Sequence, residues 1–245
     1  MNRTAGIAVV LLVVMAGIAW WFMRGGMASE PVSDAPAPVA AAPAEVEPAE
    51  PALPPLADSD DLARELAAGF GMIGAPADGL LAQDELVGHF VAVVDAIASG
   101  SSPAGELAPL GPEQPFTVIE TGEQIFVDPA SYDRYDAVGD AIARVDAEAA
   151  VAAYRHIEPL ADEVYSGIVG EARAFRPVLL RALSVLLQVP VVTDPPELVD
   201  AINRYRYADA ALESLSLPQQ HLLRMGPANV GRIQARLRQI ARLLG

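Results

Sequence analysis

The stretch PANVGRIQARLRQIARLL, residues 227–244, carries the clearest helical pattern of the chain. Its apolar residues recur at spacings of three and four, which places them along one side of a helix. They are Val230, Ile233, Leu237, Ile240 and Leu244. Pro227 suits the first turn, where its missing N–H is not needed. We therefore predict a C-terminal helix with one buried side.

The charge of this last segment differs from that of the rest of the chain. Residues 1–213 carry eleven arginines and 32 acids, a formal −21, whereas residues 214–245 carry five arginines and no acid. Either the last helix docks on the acidic body and pairs charges with it, or its arginines meet an anionic envelope component. We expect docking, because fewer than three heptads make a weak independent coiled coil.

Helical periodicity extends over most of residues 58–245, with one interruption. Helices are expected from Asp58 or Ser59, from about Gln83 to Ser99, from Ser131 to about Val169 and from Ala174 to Gln188. Asp146 is the expected cap of a helix that Pro159 kinks or ends. Residues 116–127 alternate around Thr121-Gly122-Glu123, which predicts a β-hairpin. The predicted fold class is mostly α, an α+β body with one short β-hairpin.

The N-terminal region predicts a membrane anchor. Ala5 to Met23 is a run of 19 uncharged residues between Arg3 and Arg24. A helix of that length spans ~28 Å, close to the ~30 Å hydrocarbon core of a bilayer. We predict a single-pass transmembrane helix in residues 1–24, with the N-terminus in the cytoplasm, because positive charge stays inside. The alternative is a cleaved signal peptide, for which Gly26-Met27-Ala28 would be the processing site.

The next segment, residues 25–57, predicts a disordered linker. It holds eight prolines, many alanines, five acids and no base. Such a composition buries too little apolar surface to fold, and like charges keep it extended. We expect residues 58–245 to form the compact, mostly helical domain, which the predicted topology places outside the cytoplasm.

Composition excludes several kinds of chemistry. The chain has no cysteine, and all 16 of its basic residues are arginine. Disulfides, thiolate metal sites, P-loop lysines and Schiff bases are therefore excluded. The acidic balance argues against nucleic acid as a partner, since binding there depends on neutralising phosphates. We predict no catalytic residue, no cofactor and no metal ligand.

Two remaining motifs have weak functional interpretations. Gly69-Phe-Gly71-Met-Ile-Gly74 matches G-x-G-x-x-G, but a helical pattern precedes it, so the glycines are expected to end a helix. His89, His156 and His221 form no H-E-x-x-H motif, and no G-x-S-x-G occurs.

Tyrosines and arginines supply the candidate interaction surface. All six tyrosines fall between Tyr132 and Tyr207. Tyrosine and arginine dominate protein interfaces, although they also serve ordinary helix packing. The candidates are Tyr132, Arg134, Tyr135, Tyr205 and Arg206, with Arg232, Arg236 and Arg238 on the last helix.

Several blocks together resemble a known family. They are Leu53-Pro-Pro-Leu56, Leu80-Leu-Ala-Gln-Asp84 with Phe90-Val-Ala-Val-Val-Asp95, Asp128-Pro-Ala-Ser-Tyr132 with Arg134-Tyr135-Asp136, and Leu222-Leu-Arg-Met-Gly-Pro227. The pattern resembles the membrane-anchored bacterial proteins grouped as domain of unknown function 3014. The resemblance implies a single-pass envelope protein and brings no catalytic residue with it.

Two functional hypotheses follow from these features. The first is a non-enzymatic binding or structural module, held in the inner membrane through Ala5–Met23, that binds another envelope protein or an anionic envelope component. The alternative is a periplasmic hydrolase of an envelope polymer, with His156 or His89 as base and a carboxylate partner such as Glu163.

Overall fold

The computed structural model of the chain describes residues 53–72, 77–108, 111–201 and 204–245. The predicted anchor and most of the predicted linker lie outside these ranges, as does Gly74. The α-helices are α1 (Asp60–Gly69), α2 (Ala77–Leu81), α3 (Leu86–Ser99), α4 (Asp136–Arg144), α5 (Ala147–Val169), α6 (Arg176–Leu187), α7 (Ala210–Glu213), α8 (Leu217–Leu223) and α9 (Pro227–Leu244). The strands are β1 (Val118–Thr121), β2 (Gln124–Val127), β3 (Glu197–Ala201) and β4 (Arg204–Tyr207). The mostly helical fold class is confirmed.

The centre of the core is α3. Phe90, Val91, Val93, Val94 and Ile97 of this helix are all at most 1% exposed. The helix begins three residues later than predicted, because Glu85 adopts a positive φ of 58°. The Asp60 carboxylate accepts hydrogen bonds from the N–H groups of Glu85 and Leu86, at 2.8 Å each. A side chain of α1 thereby caps α3.

The longest described helix, α5, is capped as predicted but runs further than expected. The Asp146 carboxylate accepts from the N–H groups of Glu148 and Ala149. We predicted that Pro159 kinks or ends a helix here. It does not end the helix, because α5 continues through it to Val169. Pro159 is exposed, whereas Ile157 and Ala161 beside it are buried. Burial of the flanking side chains offsets the hydrogen bond that proline removes.

The last helix docks on the body. Its five predicted apolar residues are all at most 3% exposed, and the helix packs against α4, α5 and α6. Gln234, 1% exposed, donates to the carbonyl of Val189 at 2.8 Å. Arg232 pairs with Asp136 and Asp140 of α4. The docked arrangement therefore includes charge pairing with the acidic body.

The strands form one antiparallel sheet in the order β1-β2-β3-β4. The predicted hairpin is β1–β2, with Gly122 at φ 66° in its turn. The second hairpin, β3–β4, was not expected from the sequence. It joins the first through the register Ile125↔Leu198 and Phe126↔Glu197. The sheet places residues from two distant parts of the chain side by side.

The G-x-G motif lies where a helix ends. Gly69 is the last residue of α1, and Gly71 has a φ of 92°. A dinucleotide fingerprint must follow a strand, but here the motif follows this helix.

A search for membrane spans among the described residues gives none, because no helix there is both long enough and apolar enough to cross a bilayer.

Candidate functional site

A small cleft lies between the sheet, the 3₁₀ helix Pro129–Tyr135 and the end of α8. We call it the tyrosine pocket. It is lined by Phe116, Val127, Tyr132, Pro196, Leu198, Tyr205, Tyr207, Leu223 and Arg224, and its volume is about 20 Å³. That volume holds about one water-sized group. The pocket is therefore suited to a single small chemical group and not to a whole substrate.

Strand pleating positions the aromatic wall of the pocket. Tyr205 and Tyr207 lie two residues apart on β4, so their side chains share a face of the sheet. Leu198 of β3 stands opposite Tyr207. Val199 and Arg206 alternate with them and are exposed on the other face. The inner face of the sheet thus becomes one side of the pocket.

The opposite side is set by a close approach of two segments. The Asp128 carboxylate accepts from the N–H of Ala130 at 3.0 Å and caps the 3₁₀ helix that carries Tyr132. A β-carbon added at Gly226, after α8, would lie 2.4 Å from Cγ of Tyr132. The glycine lets the chain pass directly against the tyrosine ring. Two of the blocks that carry the family resemblance meet at this contact.

Arg134 lies beside the pocket and is held by aromatic rings. Its guanidinium carbon is 5.3 Å from the ring centre of Phe116 and 4.8 Å from that of Tyr135. Its Nη1 donates to the carbonyl of Gln114 at 3.5 Å. Within the described ranges, no carboxylate lies within 4 Å of this guanidinium, and its buried Nε has no hydrogen-bond partner. Cation–π contacts are the chief interactions of this cation.

A second cation, Arg224, closes the pocket. Its guanidinium carbon is 5.8 Å from the ring centre of Tyr207, and its Nη2 donates to Oε1 of Gln220 at 3.5 Å. Burial lowers the pKa of Arg134, and the positive charge of Arg224 acts in the same direction. Among the described residues, none that lines the pocket carries a carboxylate. In a strongly acidic protein, this site is locally positive.

Three tyrosines of the site, Tyr132, Tyr135 and Tyr207, remain protonated at neutral pH. Burial raises the pKa of Tyr207 to about 12. Burial also raises the pKa of Tyr132 and that of Tyr135. Their hydroxyl groups are therefore available as hydrogen-bond donors. Phenols and guanidinium groups together favour a ligand group that accepts hydrogen bonds.

The structure divides the predicted interaction residues into two groups. Tyr132, Arg134, Tyr135 and Tyr205 come together at or beside the pocket. The others make their contacts elsewhere. Arg206 pairs with Glu213 at 2.8 Å on the outer face of the sheet, and Arg232 pairs with two aspartates of α4. Arg236 donates to the carbonyl of Ala143, and Arg238 donates to Gln234.

Sequence reasoning missed three members of the site. Tyr207 was detectable, because it follows Tyr205 at the two-residue spacing of a strand face. Phe116 was assigned to the first strand of the predicted hairpin, and its ring contact with Tyr205, at 6.0 Å between ring centres, depends on a distant segment. Arg224 gave no local signal, since it reaches the pocket only through the packing of α8 against the sheet.

None of the three histidines lines the tyrosine pocket. Nδ1 of His89 contacts the carboxylate of Glu106, and Nε2 of His221 lies 3.4 Å from Oγ of Ser102. His156 and Glu163 lie on α5 about 10 Å apart along its axis. The described part of the chain contains no cluster of three or more potential metal ligands.

The fold and the site define a mostly helical domain with a small antiparallel sheet and an aromatic, arginine-bearing pocket. A family model described as "Protein of unknown function (DUF3014)" matches residues 86–241. The chain belongs to this family. No curated protein and no solved structure matches the chain significantly.

Proposed function

We propose that this protein is a non-enzymatic binding module of the bacterial envelope. The tyrosine pocket is its binding site, and it takes up one small hydrogen-bond-accepting group of a partner protein. The observation that carries the proposal is the convergence of Tyr132, Tyr205 and Tyr207 with Arg224 on one small cleft. Aromatic and arginine side chains contribute most of the energy of protein interfaces.

The size of the pocket supports binding over turnover. Its volume is about 20 Å³, whereas small-molecule sites measure roughly 300–1,000 Å³. A cleft of this size accommodates the tip of one inserted side chain. The half-buried rings of Tyr132 and Tyr205 offer apolar area around it. Such a surface fits a partner that lies across the cleft and inserts one polar group.

The N-terminal sequence supports the location. Ala5–Met23 has the length and hydropathy of a single-pass anchor, and Arg3 precedes it. The acidic Pro/Ala-rich segment 25–57 then connects this anchor to the body. In this proposal the body is displayed in the periplasm at a distance from the inner membrane.

Photocrosslinking in intact cells tests the binding site. A photoreactive amino acid replaces Tyr205 in the full-length protein, and the same residue replaces Ile168, which is 54% exposed on α5. We expect a reproducible protein adduct from position 205 and none from position 168. Arg224→Gln should lower the yield at position 205. Equal yields at both positions, or no adduct at either, would contradict the proposal.

The location has its own test. A reporter fused after Gly245 should report an extracytoplasmic position, and the full-length chain should remain in the membrane fraction. A chain that begins at Ser29 in a soluble periplasmic extract would identify a cleaved signal peptide instead.

The second candidate function is the hydrolase. The observation in its favour is the contact between His89 and Glu106, the arrangement in which a carboxylate orients a general base. Purified full-length protein incubated with cell-wall material tests it. Solubilisation of the polymer that His89→Ala abolishes, and that His156→Ala leaves intact, would establish this function in place of the binding module.

A further inference from the structure

A second concave surface lies along the C-terminal half of α9. It is lined by Arg144, Val145, Asp146, Ala147, Glu148, Arg236, Gln239, Arg242 and Leu243, and its volume is about 600 Å³. We call it the arginine basin. The tyrosine pocket, by contrast, adjoins Gly226 at the other end of α9. The two sites share no lining residue and are separate.

Three arginines face the basin without carboxylate partners. They are Arg144, Arg236 and Arg242. In the described part of the chain, none of the three has a carboxylate oxygen within 4 Å, although Arg64, Arg176 and Arg232 all do. A fourth arginine, Arg155, donates to the carbonyl of Leu243 at 2.8 Å and so lies at the rim. Positive charge accumulates here in a protein whose formal net charge is −16.

The basin also contains two acids, Asp146 and Glu148, so that its three lining arginines leave a formal charge of +1. The Asp146 carboxylate is engaged with the N–H groups of Glu148 and Ala149 at the start of α5. Glu148 is exposed and makes no ion pair with a described residue. Arg236 is fixed in place, since its Nη2 donates to the carbonyl of Ala143 at 2.5 Å. The guanidinium group of Arg236 is therefore oriented by this hydrogen bond, whereas those of Arg144 and Arg242 make no hydrogen bond with another described residue.

The geometry indicates the kind of ligand. Arginine forks match phosphate and carboxylate oxygens, and phosphate supplies more charge and more acceptors per group. Arg236 and Arg242 are six residues apart on α9, which separates them by about 9 Å along the axis. Guanidinium groups carried on backbone positions this far apart can contact separate phosphate groups of one ligand. Residues of α4, α5 and α9 line the basin, so a discrete ligand can contact all three helices.

We propose that the arginine basin binds a soluble ligand that carries several phosphate groups. Arg236 orients one group, and Arg144 and Arg242 contact the others. Glu148 opposes binding through its negative charge. The side chains of Arg144 and Arg242 make no hydrogen bond or ion pair with another described residue, so their role in this site is separable from stability.

Calorimetric titration with inorganic tripolyphosphate tests the proposal. The full-length protein is used in micelles of a nonionic detergent, at low salt. We expect binding that weakens as salt rises, because screening reduces the attraction between the charges. Arg144→Gln/Arg242→Gln should weaken binding roughly tenfold or more, since charge-assisted hydrogen bonds are lost. Glu148→Gln should strengthen it.

The matched control is Arg181→Gln/Arg204→Gln. Both residues are exposed, and the double substitution removes the same charge from other surfaces. It should leave binding unchanged, and the thermal melting of both double variants should match that of the wild type. Equal losses in the two double variants, or no binding by the wild type, would overturn the proposal. So would equally tight binding of glycerol 1-phosphate, which resembles a lipid headgroup and carries a single phosphate.

Discussion

The backbone of Gly226 lies against the ring of Tyr132. A β-carbon at position 226 would come within 2.4 Å of Cγ and 2.7 Å of Cδ2 of the tyrosine, and the glycine has a φ of 83°. Both the backbone conformation and the contact require glycine. This single approach joins the 3₁₀ helix to the segment between α8 and α9, and it fixes the ring that lines the pocket.

Gly226→Ala should therefore destabilise the protein by about 2 kcal/mol, because it combines a strained φ with a steric overlap. Chemical unfolding of the full-length protein measures the change. Gly231→Ala is the matched control. Gly231 lies inside α9, and an added β-carbon there meets no described atom within 4 Å beyond the neighbouring backbone of its own helix. The control should be neutral or stabilising by up to about 1 kcal/mol, since alanine favours a helix interior. Equal stabilities of the two variants would show that the contact between Gly226 and Tyr132 does not require glycine.

Leu237→Asp should destabilise the body by about 4 kcal/mol or more, because it places an unpaired charge in the core. Leu237 is 0% exposed. Ala235→Asp introduces the same residue on the exposed side of the same helix and should change stability little. Thermal melting compares the two. An unchanged melting temperature for Leu237→Asp would show that α9 is not docked in solution.

His221 makes stability depend on pH. Burial lowers its pKa to about 3 from an ordinary 6.5, and the charge of Arg224 acts in the same direction. Between these values the unfolded chain binds the proton and the folded chain does not. The stability that the neutral, buried His221 contributes is thus complete above pH 6.5 and is lost as the pH falls toward 3. One such group changes the free energy of unfolding by about 1.4 kcal/mol per pH unit within that window.

Urea unfolding at about pH 7 and about pH 4.5 measures this dependence. His221→Gln should reduce the loss of stability between the two values, because it removes the titrating group. His156→Gln controls for the removal of a histidine as such. If His221→Gln and the wild type lose equal stability on acidification, the imidazole is not buried in its neutral form.

The proposed tether predicts opposite effects of shuffling and deletion. Shuffling residues 29–52 preserves length, extension and charge, so the crosslinking yield from position 205 should be preserved. Deletion of most of these residues should lower that yield, because the body no longer reaches its partner. A shuffled linker that behaves like the deletion would indicate a recognised peptide motif within it.

Local patterns made parts of the fold predictable. The periodicity of α9, the cap at Asp146 and the turn at Gly122 each depend on residues close together in the sequence. The second hairpin escaped prediction because β3 and β4 are short and charged, and because they are stabilised by pairing with a distant strand. Burial of Ile157 and Ala161 overrides the preference of Pro159 to end a helix.

The candidate site was predictable only in composition. Tyrosines and arginines are frequent around Tyr132 and around Tyr205, and this composition identified both segments as candidate interaction surfaces. Which of these residues meet depends on the sheet register and on the packing of α8. Arg232 and Arg206 match the same composition, yet they pair with acids elsewhere. Sequence patterns identify the residue types, and long-range packing decides their neighbours.

The order of the strands has a consequence for how the chain acquires its site. Each hairpin closes locally, but β2 meets β3 only when Gln124 and Glu197, 73 positions apart, come together. The entropy of closing so long a loop must be offset by contacts already formed. We therefore expect the helices between these strands to collapse first and the sheet to complete afterwards. A nascent chain would carry most of its helices before it has any tyrosine pocket, so the proposed binding site is among the last features that folding completes.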